Sequence, residues 1–349
     1  MFLIDKYTPN TFEDAYFHKN LLKLLKTMSK DESIPHIIFY GHDGAGKKTI
    51  INLFLQMLFD SSVLDLKNVP YEIAGSGEKI TTEIIKQSNY HIVIEPKKNN
   101  SDRFLIHNVV KDYARRHSLG IFSCNRSFKI IQINNLDNLS YYAQTSLRRT
   151  IENYSGECRF IMWCTSLSKV ISPLLSRCVC FPIPLPSNEE LLSYLFEVSI
   201  SEHINVPLSK YYDILQYAKG NIKKALWYLE FLKYNCEIKT DYINTIEQIV
   251  SLIIKCKRPE TVITIRNLFF KLTITNYLAE NILQDVLFLL LASYHRSDKS
   301  YDDIRLKIIQ LASETDYKLV KGRREIIQLD YFIISLLSII HQYRSKILT

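Results

Sequence analysis

At 349 residues the chain is long enough for two or three domains. With 47 % hydrophobic residues it can bury more than one core, which excludes a short module or a disordered chain. Forty-four Lys and Arg against 36 Asp and Glu leave a net charge of +8, a moderate basic excess that suits an anionic partner but falls far below that of a histone-like arm.

The N-terminus, Met1-Phe2-Leu3-Ile4-Asp5-Lys6, has no apolar signal core, and the apolar stretches near Val286–Ala292 and Tyr331–Ile340 are too short to span a bilayer. An unsecreted protein without membrane helices is expected. Short β-branched and aromatic runs then alternate with helix-length segments: His36–Tyr40, Tyr90–Ile94, Phe128–Ile133, Phe160–Cys164 and Val179–Phe181. Near-continuous apolar strands separated by helices predict a parallel sheet covered on both faces. The two tryptophans include Trp163, which falls in the fourth run and is read as core.

Only nine glycines occur, and three of them stand at 41, 44 and 46. The segment Gly41-His42-Asp43-Gly44-Ala45-Gly46-Lys47-Lys48-Thr49 follows the first strand and precedes an apolar helical run. Strand, glycine loop, lysine and helix come in the order a phosphate cradle requires: glycine lets the backbone N–H groups approach, the helix N-terminus adds partial positive charge, and lysine reaches the phosphates. Yet Lys48 stands where such loops place the Ser or Thr that binds Mg²⁺, with Thr49 one position late. The acidic pair expected at the end of a buried strand is also missing, because Ile130-Ile131-Gln132-Ile133 runs into Asn134-Asn135. Two neutral amides can neither balance a divalent cation nor accept a proton, and Asp137 lies two positions too far along.

Three of the ten prolines, Pro182, Pro184 and Pro186, mark an extended linker and a domain boundary. Beyond Pro259 there is no proline and one glycine, Gly322, while apolar residues recur at helical spacing through Ile282, Val286 and Leu290, so the C-terminal third is predicted to be all-helical. The seven cysteines, at 124, 158, 164, 178, 180, 236 and 256, show no C-x-x-C spacing. No metal site is expected from them, and they read as packing thiols in a reducing compartment.

Several segments together resemble the small subunits of replication factor C, the sliding-clamp loader within the AAA+ ATPases. Asp5-Lys6-Tyr7-Thr8-Pro9 resembles that family's N-terminal E-K-Y-R-P element, and Pro35–Gly41 its P-H-L-L-x-Y-G strand. Ala143–Glu152 is similar to its A-Q-x-A-L-R-R-T-M-E helix, Ser176-Arg177-Cys178 matches its S-R-C motif, and Gly220-Asn221-Ile222-Lys223 looks like its G-D-L-R element. The Gly46-Lys47-Lys48-Thr49 loop, with Tyr90-His91 and Asn99–Arg103, is most similar to the non-hydrolysing branch at one end of the pentamer. Against the family pattern, Thr8 replaces an arginine, Asn135 a glutamate, Thr165 the sensor asparagine and Lys223 the second-sensor arginine.

The resemblance implies an α/β AAA+ base with a parallel sheet at 1–183, a small helical lid at 184–235 and an all-helical collar at 236–349. It implies a subunit that binds ATP or ADP weakly through Gly41, Gly44, Ala45, Gly46, Lys47, Lys48, Thr49 and Lys223, leaves the part played by Mg²⁺ open, and does not hydrolyse the nucleotide. Arg177 would serve as an arginine finger in trans, the catalytic contribution to a neighbour. Arg103 and Lys111, on a helix over Asp102–His117 that also carries Arg115 and Arg116, would track a DNA backbone. Gln144 and Arg148 share a helix face and could relay the neighbour's state, or be a plain surface pair.

The implied partners are sibling subunits in a heteropentamer, a ring-shaped sliding clamp and primer–template DNA, in a nucleus or at a viral replication site. Two other readings remain open: an independently active P-loop ATPase or helicase-like enzyme, and a subunit of an alternative, checkpoint clamp loader.

Overall fold

The computed structural model describes residues 1–74, 80–96, 102–115, 128–236, 241–255, 260–275, 277–293, 299–322 and 324–348. Asn99–Ser101, Arg116, His117, Cys124 and Cys256 lie outside these residues. The chain forms two compact units, Met1–Cys236 and Glu237–Thr349.

The first unit is organised by seven strands: β1 (His36–Tyr40), β2 (Lys67–Ala74), β3 (Ile80–Gln87), β4 (His91–Ile94), β5 (Lys129–Ile133), β6 (Cys158–Cys164) and β7 (Cys178–Pro182). Among the described residues they form one sheet in the order β2-β3-β4-β5-β6-β1-β7. The five strands predicted from apolar runs, β4, β5, β6, β1 and β7, pair in parallel. The sheet as a whole is mixed, because β2 and β3 add an antiparallel ribbon on the β4 edge that the apolar runs did not disclose.

Alternation along the strands divides the apolar side chains between two cores. Ile38, Ile131 and Phe160 belong to one, with Val109 and Val110 and with Ala143 and Leu147 of the helix Tyr141–Asn153. Ile37, Ile130 and Ile161 belong to the other, under Leu22 and Leu25 of the helix Lys19–Met28 and Ile51, Phe54 and Leu55 of the helix Lys47–Leu58. Burying both faces explains why the central strands read as near-continuous apolar runs.

After β7 the same unit continues into three helices, Asn188–Ser201, Leu208–Ala218 and Ile222–Lys233. Ser187 and Glu190 form a reciprocal capping box at the first, and the Asn221 side chain caps the third by accepting from Lys224 N–H at 3.0 Å. The N-terminal residues dock here: Lys6, Tyr7 and Lys233 all donate to the Glu202 carboxylate and hold its pKa down to about 2.

The second unit contains the helices Asp241–Lys255, Glu260–Ile274, Ala279–Ser293, Lys299–Lys321 and Glu325–Leu348. They share one core that includes Ile249, Ile253, Phe269, Ile282, Leu290, Phe332 and Leu336. No described helix in either unit is long and apolar enough to cross a membrane.

Candidate nucleotide site and arginine edge

The phosphate loop forms where β1 ends. Gly41 N–H donates to the Cys164 carbonyl at 3.3 Å, tying the loop to the end of β6. A Cβ at Gly41 would stand 2.1 Å from the Ile183 carbonyl oxygen, so the close approach requires glycine. Gly44, with φ +81, lies against the Asn221 side chain, and Gly46, with φ +94, precedes the helix Lys47–Leu58. Both conformations favour glycine. Ala45 is buried, and its carbonyl lies 3.0 Å from Nε2 of His18, whose imidazole is kept below its ordinary pKa chiefly by burial.

Lys47 sits at the centre of this loop with a side chain only 5 % exposed. Its ammonium donates to the Gly41 carbonyl at 2.6 Å, the His42 carbonyl at 3.0 Å and the Asp43 carboxylate at 3.3 Å. It also lies 5.0 Å from the centre of the Trp163 ring. Lys48, the next residue, is exposed, and Thr49 is half-buried. A buried ammonium, glycine-rich backbone and a helix N-terminus are a donor set that fits a phosphate.

The strand ends beside the loop fit a divalent cation poorly. Asn134 follows β5 and is 2 % exposed. Its amide nitrogen donates to Glu95 at 3.0 Å, and its Oδ1 accepts from Gln132 Nε2 at 2.9 Å and from Trp163 Nε1 at 2.8 Å. The buried side chain is thus a neutral amide with its dipole oriented by three partners. Asn135 takes a left-handed φ of +49, which asparagine tolerates. Asp137 is engaged elsewhere, accepting from Thr165 N–H at 3.2 Å and from the Thr165 hydroxyl.

The start of the helix Ile222–Lys233 reaches the loop. Ile222 N–H donates to the Gly44 carbonyl at 3.2 Å and Asn221 Nδ2 to the Asp43 carbonyl at 3.1 Å. This contact brings Lys223 to the same region as residues 41–49. The Lys223 side chain is exposed, with its ammonium 5.7 Å from the centre of the Trp227 ring.

Arg177 occupies the turn between the helix Ser172–Leu175 and β7. Its guanidinium pairs with Glu152 at 2.7 Å and donates to the Pro173 carbonyl at 2.8 Å and the Ser176 hydroxyl at 3.1 Å, with the side chain 38 % exposed. Arg148 approaches the same carboxylate at 3.8 Å, and its buried Nε has no hydrogen-bond partner. One carboxylate therefore gathers two guanidinium groups and leaves an excess of positive charge on this edge.

Residues 17–187 match the family described as DNA polymerase III, delta subunit, and residues 242–344 that described as Replication factor C subunit 3, C-terminal domain. A putative replication factor C small subunit of Acanthamoeba polyphaga mimivirus is 37 % identical over 95 % of this chain and 90 % of its own length. The chain belongs to the replication factor C small-subunit family. A probable replication factor C subunit 3 of Dictyostelium discoideum is 32 % identical over 98 % of this chain and 99 % of its own. Replication factor C subunit 5 of Saccharomyces cerevisiae is 30 % identical over 95 % and 97 %.

In this replication factor C small subunit, Arg103 lies on a helical turn, Asp102–Leu105, and Lys111 opens another, Lys111–Arg115. The predicted continuous α-helix is interrupted between them by a wider, π-type turn over Ile106–Val110. Gln144 is buried, donating to the Leu139 and Lys169 carbonyls and accepting from Ile171 N–H. It therefore fastens two segments of the first unit and is no surface partner of Arg148.

Sequence reasoning missed Glu95, a single acid after a strand and part of no motif. Only the register Ile94↔Ile133 discloses that the next residues along, Glu95 and Asn134, are neighbours. Trp163 was read as core; it is half-buried and also links Lys47 to Asn134.

Proposed function

We propose that this chain is the non-hydrolysing small subunit of a replication factor C clamp loader, which holds a nucleotide weakly and serves its neighbour's chemistry through Arg177. The carrying observation is Asn134, a buried amide fixed by Glu95, Gln132 and Trp163 where hydrolysis needs a metal-binding acid. ATP or ADP would be gripped by the backbone of Gly41–Gly46 and by Lys47, with Thr49 and Lys223 nearby and no strong requirement for Mg²⁺. Phosphoryl transfer gains its rate from placed charge and a positioned water, and Lys48, Asn134 and Asn135 supply neither.

Arg177 is supported by its partial exposure and by the second guanidinium beside it. A neighbour's developing phosphoryl charge would be met by a fork of donors that an ammonium cannot reproduce. Residues 1–183 would form the base, 184–235 the lid and 236–349 the collar that joins sibling subunits in a heteropentamer. Arg103 and Lys111 would contact the phosphate backbone of primer–template DNA, which carries no sequence information, while the assembly opens a sliding clamp at a nuclear or viral replication site. Steady-state ATPase of the isolated chain separates this reading from an independent ATPase: no turnover is expected, and a rate in the roughly 1–100 s⁻¹ range of kinases would overturn it.

A further inference from the structure

The three donors of the Lys47 ammonium are all engaged within its own loop, two by carbonyls and one by the Asp43 carboxylate. The partners are not equivalent. The Gly41 and His42 carbonyls belong to the backbone that shapes the loop. Asp43 Oδ1 is the longest contact of the three, at 3.3 Å, and its side chain is 78 % exposed while that of Lys47 is 5 % exposed. The carboxylate is thus a solvent-exposed anion on a short side chain, paired to a buried cation at the mouth of a phosphate cradle.

We infer that Asp43 is an internal competitor for nucleotide phosphate, a carboxylate that occupies Lys47 in the empty loop and must be displaced when ADP or ATP binds. This inference rests on the proposed role of Lys47 in gripping phosphate. Two effects act in the same direction. The incoming phosphate must break the Asp43–Lys47 pair, and the displaced carboxylate then remains close to an anion of its own sign. The backbone that carries it is held in place: the Asp43 carbonyl accepts from Asn221 Nδ2 at 3.1 Å, and the next residue, Gly44, packs closely against the same side chain. Asp43 therefore sets the affinity of the site without belonging to the cradle itself.

The test is calorimetric titration of the full chain with ADP, using the wild type, Asp43→Asn, Lys47→Met and the double variant. Asp43→Asn is expected to bind ADP roughly fivefold tighter, the worth of an exposed ion pair of up to about 1 kcal/mol, and the gain is expected to shrink as salt screens it. In the Lys47→Met background the same substitution should give a smaller gain, because no pair remains to be broken. Equal or weaker binding by Asp43→Asn, with Lys47→Met still weaker than wild type, overturns the competitor role and leaves the phosphate grip standing. Lys47→Met binding as tightly as wild type overturns the grip, and this inference with it. Loss of a Mg²⁺-dependent part of the affinity in Asp43→Asn would make Asp43 a metal ligand and would also contradict the inference. Matched thermal melts exclude a folding defect, which an exposed loop side chain is not expected to cause.

Discussion

The chain's own nucleotide site and its arginine edge differ in how completely their polar groups are satisfied. At Asn134 the side chain is buried and already bonded to Gln132, Trp163 and the solvent-exposed Glu95, so its dipole is spent on partners within the chain. At Arg177 one carboxylate, Glu152, answers two guanidinium groups and the side chain remains partly in solvent. A buried neutral amide whose bonds are already made stabilises a fold but offers little to a reacting phosphate. An open, positively charged edge can still meet an anion brought by another subunit. The contrast supports the proposed reading, in which the chemistry of this subunit lies at its periphery and its own phosphate loop is a holding site.

The largest stability effect that would break the comparison lies at Asn134. Asn134→Asp restores an acid in a buried position 3.0 Å from the Glu95 carboxylate, so two like charges meet where a donor and an acceptor now pair. The variant should lose about 3 kcal/mol in urea unfolding at neutral pH. Adding Glu95→Gln should recover much of that loss, because the new amide can donate to the new acid. In the proposed reading, reversion toward a hydrolysing site would therefore have to change Glu95 as well as Lys48, Asn134 and Asn135. An Asn134→Asp variant as stable as wild type would show that the buried position tolerates the added charge beside Glu95.

A second effect sharpens the contrast along the strands themselves. The phosphate loop and Asn134 stand at the C-terminal ends of β1 and β5, where open α/β sheets place their ligands. The N-terminal ends of β1 and β4 instead bury His36 and His91. Burial lowers both imidazoles to about 4, with Arg159 adding to the shift at His36. His36 Nδ1 accepts from Phe160 N–H at 3.2 Å, and His91 Nδ1 pairs with the Ser88 hydroxyl at 2.7 Å. Unfolded, these rings bind protons from about pH 6.5 downward, whereas folded they stay neutral until about pH 4. Stability is thus fully present above pH 6.5 and falls as the pH drops toward 4, by on the order of 1–3 kcal/mol for each ring. Urea titrations across that window, with His36→Gln and His91→Gln flattening the slope, check it.

The smallest effect concerns Mg²⁺. With Lys48 exposed and Asn134 already bonded, ADP affinity should change by less than about tenfold, or 1.4 kcal/mol, when the metal is added. A larger change by calorimetry would mean that carboxylates such as Glu95 or Asp43 complete a metal site after all.

Much of this was legible in the sequence where residues must do one thing. The five parallel strands announced themselves because burial on both faces leaves them apolar throughout, and Gly41, Gly44 and Gly46 because their backbone geometry tolerates little else. The ribbon of β2 and β3 was silent for the opposite reason. It lies at an edge, its residues form neither a continuous apolar run nor a regular alternation, and Pro70 falls inside β2, where only an edge strand tolerates proline. Asn134 was legible as a missing acid, but its pairing with Glu95 depends on strand register, which no local pattern encodes. Gln144 lay within a recognisable helix, yet two of its three backbone partners, Lys169 and Ile171, come from a segment distant in sequence.

The most direct measurement is DNA- and clamp-stimulated ATPase of the reconstituted pentamer carrying either Lys47→Met or Arg177→Ala in this chain, with assembly verified for both. The account predicts that Lys47→Met keeps nearly the whole rate. Arg177→Ala should remove the adjacent subunit's contribution, a loss of roughly 10³–10⁵ at that one site, with Arg177→Lys rescuing poorly. A pentamer that loses its stimulated ATPase with Lys47→Met and keeps it with Arg177→Ala would contradict the account, placing the chemistry in this chain's own loop.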